Sequence, residues 1–473
     1  MTTAQLLGTL RVPAHGFRGL AGVARRDVTP PVGIRNRMWG AATSDVSVGV
    51  HRPLLLEAIA FATDDRAQPV VLLCLDTCTW GRHDDFSQFR GTVLAATGLS
   101  PERLLANVSH THAGCTEIRS QADLPGGELI PAYLDSLYEH AVSAIKEAVG
   151  SLVPATLEWV VGRSDIAVNR DLDLNGRALV GFNPLESADD TVLVGRVSRS
   201  DGTALATIVN YACHGTTLGP GNLELSPDYV GALRETVEEA TGAPCLFFQG
   251  ASGDTSPREQ YSPDTALADR HGKAIGHAVV AALMTMPPPG TELAFDHAIE
   301  SGAPLGVWSP KLAELSTDLQ CSVVTAELPL RKMQTLEELK QQWSDIPPQS
   351  LDERLRRFRR IFSDMGPAYA DPANRPDSVA HQVWVVKLGT SYIVAQPGEA
   401  YNVFQTELRR RAGETPVAVL NLTNGPSPGY LASADAYCRN AYQSWHTVLA
   451  QGALEKLTDV ASEALQALAE VAQ

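Results

Sequence analysis

The sequence has no excess of positive charge. Its 473 residues carry 38 Lys+Arg against 54 Asp+Glu, so 38 − 54 = −16 with histidine neutral. Nucleic-acid affinity comes mainly from cations that neutralise phosphates, and anionic membranes attract the same cations; both partners are disfavoured. No apolar run reaches the ~18 residues of a membrane span. The opening segment MTTAQLLGTLRVPAHGF shows no basic stretch followed by an apolar one, hence no leader pattern. There is no internal repeat and no low-complexity tract. Seven cysteines form no CxxC pair and no dense cluster, and most have apolar or small neighbours. Buried free thiols are the expected state, which suits a reducing compartment. These absences together lead us to expect a cytoplasmic protein. What is present, 44% hydrophobic and 19% charged residues, is the composition of a packed globular chain. By length alone it would form roughly two to four domains.

Short apolar runs read as buried strands: 70–75, 104–108, 207–211, 245–248, 383–386, 392–395 and 417–422. Polar or small residues follow most of them: Asp76, Ser109-His110-Thr111-His112, Cys213-His214, Gln249 to Asp254, and Gln396-Pro397-Gly398-Glu399. In sheet-based α/β proteins sites are assembled past strand ends. Helices alternate with these strands. Residues 131–149 place Leu134, Leu137, Tyr138, Ala141, Ile145 and Val149 on one face. Ser226-Pro227 and Ser262-Pro263 read as helix starts. Thr335/Glu338 and Ser350/Glu353 read as capping boxes. Glu399 opens a helix ending near Gly413, and a last helix runs over about 454–471. The expected fold class is α/β, with mixed sheets packed against helices. The charged stretch 301–377 reads as a helical insertion.

Asn107-Val-Ser-His110-Thr-His112-Ala-Gly114 is the sharpest local feature. In an extended chain, residues two apart point the same way, so His110 and His112 would share a pocket. Imidazole pairs suit zinc, which in catalytic sites keeps three protein ligands and an open position. Two ordinary hydrogen-bonded histidines account for the pattern as well. His214, at another strand end, adds weight to the metal. Cys115 and Cys213 flank site residues and are alternative ligands of minor weight. Ser256, in Gly253-Asp254-Thr-Ser256-Pro257, lies in no GxSxG elbow, so a supporting role is favoured over a nucleophile.

Taken in order, these segments resemble the catalytic domain of the neutral/alkaline (non-lysosomal) ceramidase family. The resembling stretches are Asp27-Val-Thr29-Pro30-Pro31-Val-Gly33, Ser109-His110-Thr-His112-Ala-Gly114, Asn169-Arg170, Tyr211-Ala-Cys-His214-Gly-Thr-Thr, Gly253-Asp254-Thr-Ser256-Pro257, Pro397-Gly398-Glu399 and Gly429-Tyr430 through Tyr442 and His446. The resemblance implies a ceramidase-type fold and zinc bound by His110, His214, Glu399 and Tyr430. It also implies His112, Arg170 and Tyr442 at the reacting amide, with Asp254 and Ser256 in support. The implied activity is hydrolysis of an amide by metal-activated water, on an N-acylated, ceramide-like substrate of lipid metabolism. The chain departs from the family's pattern at Ala113 and Cys115, where a Ser and a Gly-rich loop are usual, and at Arg258. No C-terminal β-sandwich is expected. The landmarks run from Asp27 to Thr447, so residues 1–473 read as one catalytic unit with 301–377 inserted. An esterase, lactonase or small-amide amidase is the alternative, and a non-catalytic metal- or ligand-binding relative is the second. The oligomeric state is not encoded in these motifs.

Overall fold

The structure, a computed structural model, describes residues 10–470 apart from 345, 367, 368, 370, 372–374 and 427. The first nine residues of the opening segment, Val471 and several positions of the 301–377 stretch therefore lie outside the described residues.

Two sheets form the centre. The larger has eight strands: β1 (Gly16–Asp27), β2 (Leu55–Ala62), β3 (Val70–Leu75), β4 (Leu104–Val108), β5 (Val153–Arg163), β6 (Thr191–Arg199), β7 (Ala204–Tyr211) and β8 (Cys245–Gln249). Their spatial order is β8-β7-β6-β5-β1-β2-β3-β4, with only the outermost pairs, β7/β8 and β3/β4, parallel. The smaller sheet runs β9 (Leu319–Pro329), β10 (Ser378–Leu388), β11 (Ser391–Ala395) and β12 (Val417–Leu420) in that order, with β11/β12 parallel.

Alternation along the strands shows how the layers stack. In β3, Val70, Leu72 and Cys74 enter the core between the two sheets, while Val71, Leu73 and Leu75 meet helices 83–97 and 130–150. In β10, Trp384 and Val386 face the larger sheet, while Val383 and Val385 face helices 348–364 and 453–470. The result is helix, sheet, sheet, helix. Among the described residues no helix is long and apolar enough to cross a membrane.

The eight-stranded sheet curls. A twist of about 20–25° per strand pair accumulates over seven pairings to roughly 140–175°. Edge strands β4 and β8 are antiparallel in the pleat count, yet they meet side by side. Asn107 Oδ1 on β4 accepts the Gln249 N–H of β8 at 3.0 Å. Just past the strand ends, Thr111 and Gly215 bridge in parallel.

Several local expectations change. Stretch 301–377 holds helices Leu336–Gln342 and Pro348–Asp364, and it also holds strands Leu305–Leu312 and β9. In β9, Leu319, Cys321 and Val323 pack towards the intersheet core and Val324, Ala326 and Leu328 towards the helices. That alternation is hidden in the sequence by Gln320, Ser322 and Glu327. The Thr335/Glu338 capping box is present. Ser350 is no cap, because its helix already starts at Pro348; Glu353 instead pairs with Arg357. At both Ser-Pro sites the serine hydroxyl accepts the N–H of the next aspartate at 3.0 Å, and that aspartate, Asp228 or Asp264, caps the helix. Asp76, read from sequence as a strand-end site residue, is structural: it takes two hydrogen bonds from the buried Arg234 at 2.6 and 3.1 Å.

Candidate metal centre

The loops after β4, β7, β11 and β12 converge on one buried cluster. His110 follows β4 and His214 follows β7, so the meeting of the curled sheet's edges brings these two rings to 4.3 Å between centroids. The smaller sheet supplies the rest. Glu399 and Tyr430 sit after β11 and β12 on two short parallel strands, 399–400 and 430–431, in which they are register partners.

His110 and His112 do share the pocket, with rings 4.9 Å apart, but not through strand alternation. Strand β4 ends at Val108, and His110 adopts a left-handed backbone, φ 64°. A non-glycine residue held there costs about 1–2 kcal/mol, a strain that recurs at functional sites.

Each imidazole of the pair has one nitrogen fixed by main chain. His110 Nδ1 donates to Cys78 O at 2.6 Å, and His214 Nδ1 donates to Ser252 O at 2.6 Å. Both Nε2 atoms then face the same carboxylate oxygen, Glu399 Oε2, each at 3.4 Å. His110 Nε2 and Glu399 Oε2 are buried with no hydrogen-bond partner. The spacing fits an ion: two donors about 2.0–2.1 Å from a tetrahedral zinc stand roughly 3.3–3.4 Å apart. The backbone carbonyls behind the imidazoles are the usual partners that orient metal-binding histidines. A second cluster, Cys78, His110 and His112, shares His110. There Cys78 Sγ lies 3.8 Å from His110 Nδ1, the nitrogen already committed to a carbonyl, so the His110–His214–Glu399 set is the better donor arrangement.

Charge follows burial and neighbours. Burial opposes charge on His110, but Cys78 and Glu399 beside it outweigh that and push it up to about 10. Burial and then Arg170 push His214 down to about 3. Burial, then His110 and His214, hold His112 well below the usual histidine range. Burial would raise Glu399, yet the two imidazoles hold it well below the carboxylate range. Burial, then Glu399, raises the Tyr430 phenol.

Arg170 lies at the centre of this group. Its Nη2 donates to Gly253 O at 2.8 Å, His214 Nε2 at 3.0 Å and Tyr430 Oη at 3.2 Å. Asp254 holds the arginine's backbone: its carbonyl accepts Arg170 N–H, and its carboxylate accepts Asn402 N–H at 2.6 Å. Burial, then Asp171, pushes Asp254 up to about 7. Ser256 is fully buried and its hydroxyl has no hydrogen-bond partner, so no base is poised to activate it. Tyr442 stacks on His446, ring centroids 5.1 Å apart, with its ring 5.7 Å from Tyr430. Cys115 and Cys213 instead pack into apolar cores.

Sequence reasoning missed three neighbours, Cys78, Trp39 and Tyr261. Cys78 sits just past β3, where its strand-end position was a usable signal. Trp39 packs against His112 with ring centroids 4.9 Å apart and planes tilted by 38°, and meets Tyr261 edge-on at 5.5 Å. His446 leaves both ring nitrogens unpaired beside Tyr442. Trp39 and Tyr261 lie in loops with no distinguishing local pattern.

Gly215 is required by the edge-to-edge approach. A Cβ there would stand 2.7 Å from His110 O and 2.9 Å from Thr111 Cα, both backbone atoms. Gly215→Ala should push the two histidine loops apart, cost about 1–3 kcal/mol of stability and weaken zinc binding. Thermal melts and zinc titration of the variant check this.

The layers and this buried His–His–carboxylate–phenol cluster define an α/β protein with a candidate metal centre. Neither a family model nor a curated protein matches the chain in sequence. Solved structures do. Neutral ceramidase from Pseudomonas aeruginosa superposes with a TM-score of 0.68 at 15% identity, covering 94% of this chain and 74% of that one. A ceramidase complexed with C2 gives a TM-score of 0.67 at 14% identity, covering 96% and 76%. The fold is that of the neutral ceramidases.

Proposed function

We propose that this chain is a zinc-dependent hydrolase that cleaves the amide bond of an N-acylated, ceramide-like substrate, and that it belongs with the ceramidases whose fold it shares. The observation that carries this reading is the convergence of two main-chain-anchored imidazoles on one unpaired carboxylate oxygen at the spacing zinc needs. His110, His214, Glu399 and Tyr430 would hold the ion, a nitrogen and oxygen set that suits zinc. When bound, zinc supplies Lewis acidity and makes a water available as nucleophile near neutral pH.

The chain's own groups do the rest. His112 has both ring nitrogens unpaired and its ring 4.9 Å from that of His110, so it is placed to accept a proton from the attacking water and return it to the departing amine. Arg170, fixed by Gly253 O, stabilises negative charge on the carbonyl oxygen and on the Tyr430 oxygen. Tyr442, which lines the adjoining cavity with Arg357, places a phenol at the substrate's polar end. Asp254 and Ser256 support: Asp254 fixes Arg170's backbone, and Thr255, next to Ser256, accepts the His214 N–H on its carbonyl at 3.1 Å. All seven cysteines are free, and a cytoplasmic setting is proposed on that ground.

The test is a panel of paired amides and esters across an acyl chain-length series, run on zinc-loaded protein with His214→Ala as blank. Amide hydrolysis absent from the blank is expected. Cleavage of esters alone would favour the esterase reading, and full activity in metal-free protein would overturn the zinc reading. No turnover with zinc bound would favour a binding relative.

A further inference from the structure

Beside the metal-binding cluster lies a cavity of about 830 Å³, a volume suited to a drug-sized ligand. Tyr442 joins the two, since it lines the cavity and its ring stands 5.7 Å from that of Tyr430. The hairpin formed by 171–174 and 177–180 joins them again: Val180 lines the cavity and is the register partner of Asp171, which follows Arg170.

The lining is amphipathic and cationic. Trp343 and Trp445 supply an aromatic surface, their rings 5.5 Å apart. Arg354 lies over both, its guanidinium 5.1 and 4.6 Å from the two rings. Arg177, Arg357 and Arg439 line the cavity as well, and Glu353 is the one carboxylate among the described lining residues. Glu353 is engaged by Arg356 at 2.7 Å and Arg357 at 2.9 Å. Arg439 bonds Asp435 at 2.6 Å, outside the lining. Arg177 has no ion-pair partner among the described residues. Four arginines around one cavity run against a chain whose net charge is −16.

A wholly neutral lipid amide lying over Arg177, which has no ion pair among the described residues, would strip water from its guanidinium without return, which is costly. An anion there would gain charge-assisted hydrogen bonds, the interaction at which arginine excels. We propose that the substrate carries an anionic group, a carboxylate or a phosphate, bound by these arginines next to the scissile amide, with an apolar part against Trp343 and Trp445. As a statement about substrate, this rests on the amide-hydrolase reading above. The cavity's preference for anions does not.

The test uses matched probes: N-hexanoylglycine against N-hexanoylglycinamide, and N-hexanoylphosphoethanolamine against N-hexanoylethanolamine. Binding to the full chain, with and without zinc, is measured by isothermal titration calorimetry. At least one charged probe should bind about tenfold or more tighter than its neutral partner, and the stronger of the two pairs tells carboxylate from phosphate. Arg177→Gln and Arg439→Gln should each narrow that ratio; Arg177 is exposed, so its variant should fold. Equal binding within both pairs, or a ratio unmoved by both substitutions, overturns the proposal. Turnover of the same probes separates the two readings. A charge preference in binding with no hydrolysis removes the hydrolase reading and leaves the anion site. Hydrolysis without charge preference does the reverse.

Discussion

Glu399→Ala should abolish zinc binding and lower kcat/KM by at least about 10³-fold, ~4 kcal/mol of transition-state stabilisation. The reason is geometric. Glu399 Oε2 lies 3.4 Å from both His110 Nε2 and His214 Nε2. Without it the two imidazoles keep their carbonyl anchors but lose the anionic donor between them. The metal-free variant should melt somewhat below metal-free wild type, because the substitution removes the carboxylate that favours the His110 imidazolium, yet it should still fold, since both imidazoles keep their carbonyl anchors. That combination separates loss of a ligand from loss of fold. Glu399→Gln, with the shape kept and the charge removed, should also lose the metal. Zinc titration, steady-state kinetics and thermal melts on the three proteins make the comparison, and a variant that melts early and binds zinc normally would argue for a structural carboxylate.

Asp76→Ala should produce the largest loss of stability. Arg234 is 2% exposed and lies between Asp76 and Glu57, each 1% exposed, with ion-pair distances of 2.6 and 2.9 Å. Asp76 also accepts the Leu55 N–H at 2.9 Å, which ties the end of β3 to the start of β2. Removing one partner leaves a guanidinium short of counter-charge in a dry core, at a cost of about 3–5 kcal/mol. For a chain of this size that is a fall of about 3–5 °C in thermal midpoint. Arg234→Met combined with Asp76→Leu should recover part of the loss, since both charges leave together. A midpoint for Asp76→Ala within about 1 °C of wild type would show that the pair contributes nothing.

The two aspects of the molecule were unequally legible. Strands such as 70–75 and 104–108 are uninterrupted apolar runs buried on both faces, so composition alone exposes them. β9 was hidden because its two faces meet different layers and tolerate Gln320, Ser322 and Glu327 between them. Asp76 looked like a site residue because strand-end position does not reveal a partner 158 residues away. The histidines were visible as a motif, yet what joins His110 to His214 is the accumulated twist of eight strands, which no local pattern carries. The Glu399–Tyr430 register depends likewise on a two-residue ladder between distant loops. Trp39 and the cavity arginines were out of reach for the same reason: each is ordinary in its own segment and acquires meaning only from what folds against it.

The central claim is that these residues hold zinc, and the metal content of the purified chain tests it most directly. Wild type and His214→Ala would be grown with zinc, dialysed and measured by inductively coupled plasma mass spectrometry. The arrangement predicts about one zinc per chain in wild type and under about 0.1 in the variant. Folded wild type without zinc, or equal zinc in both proteins, would contradict it.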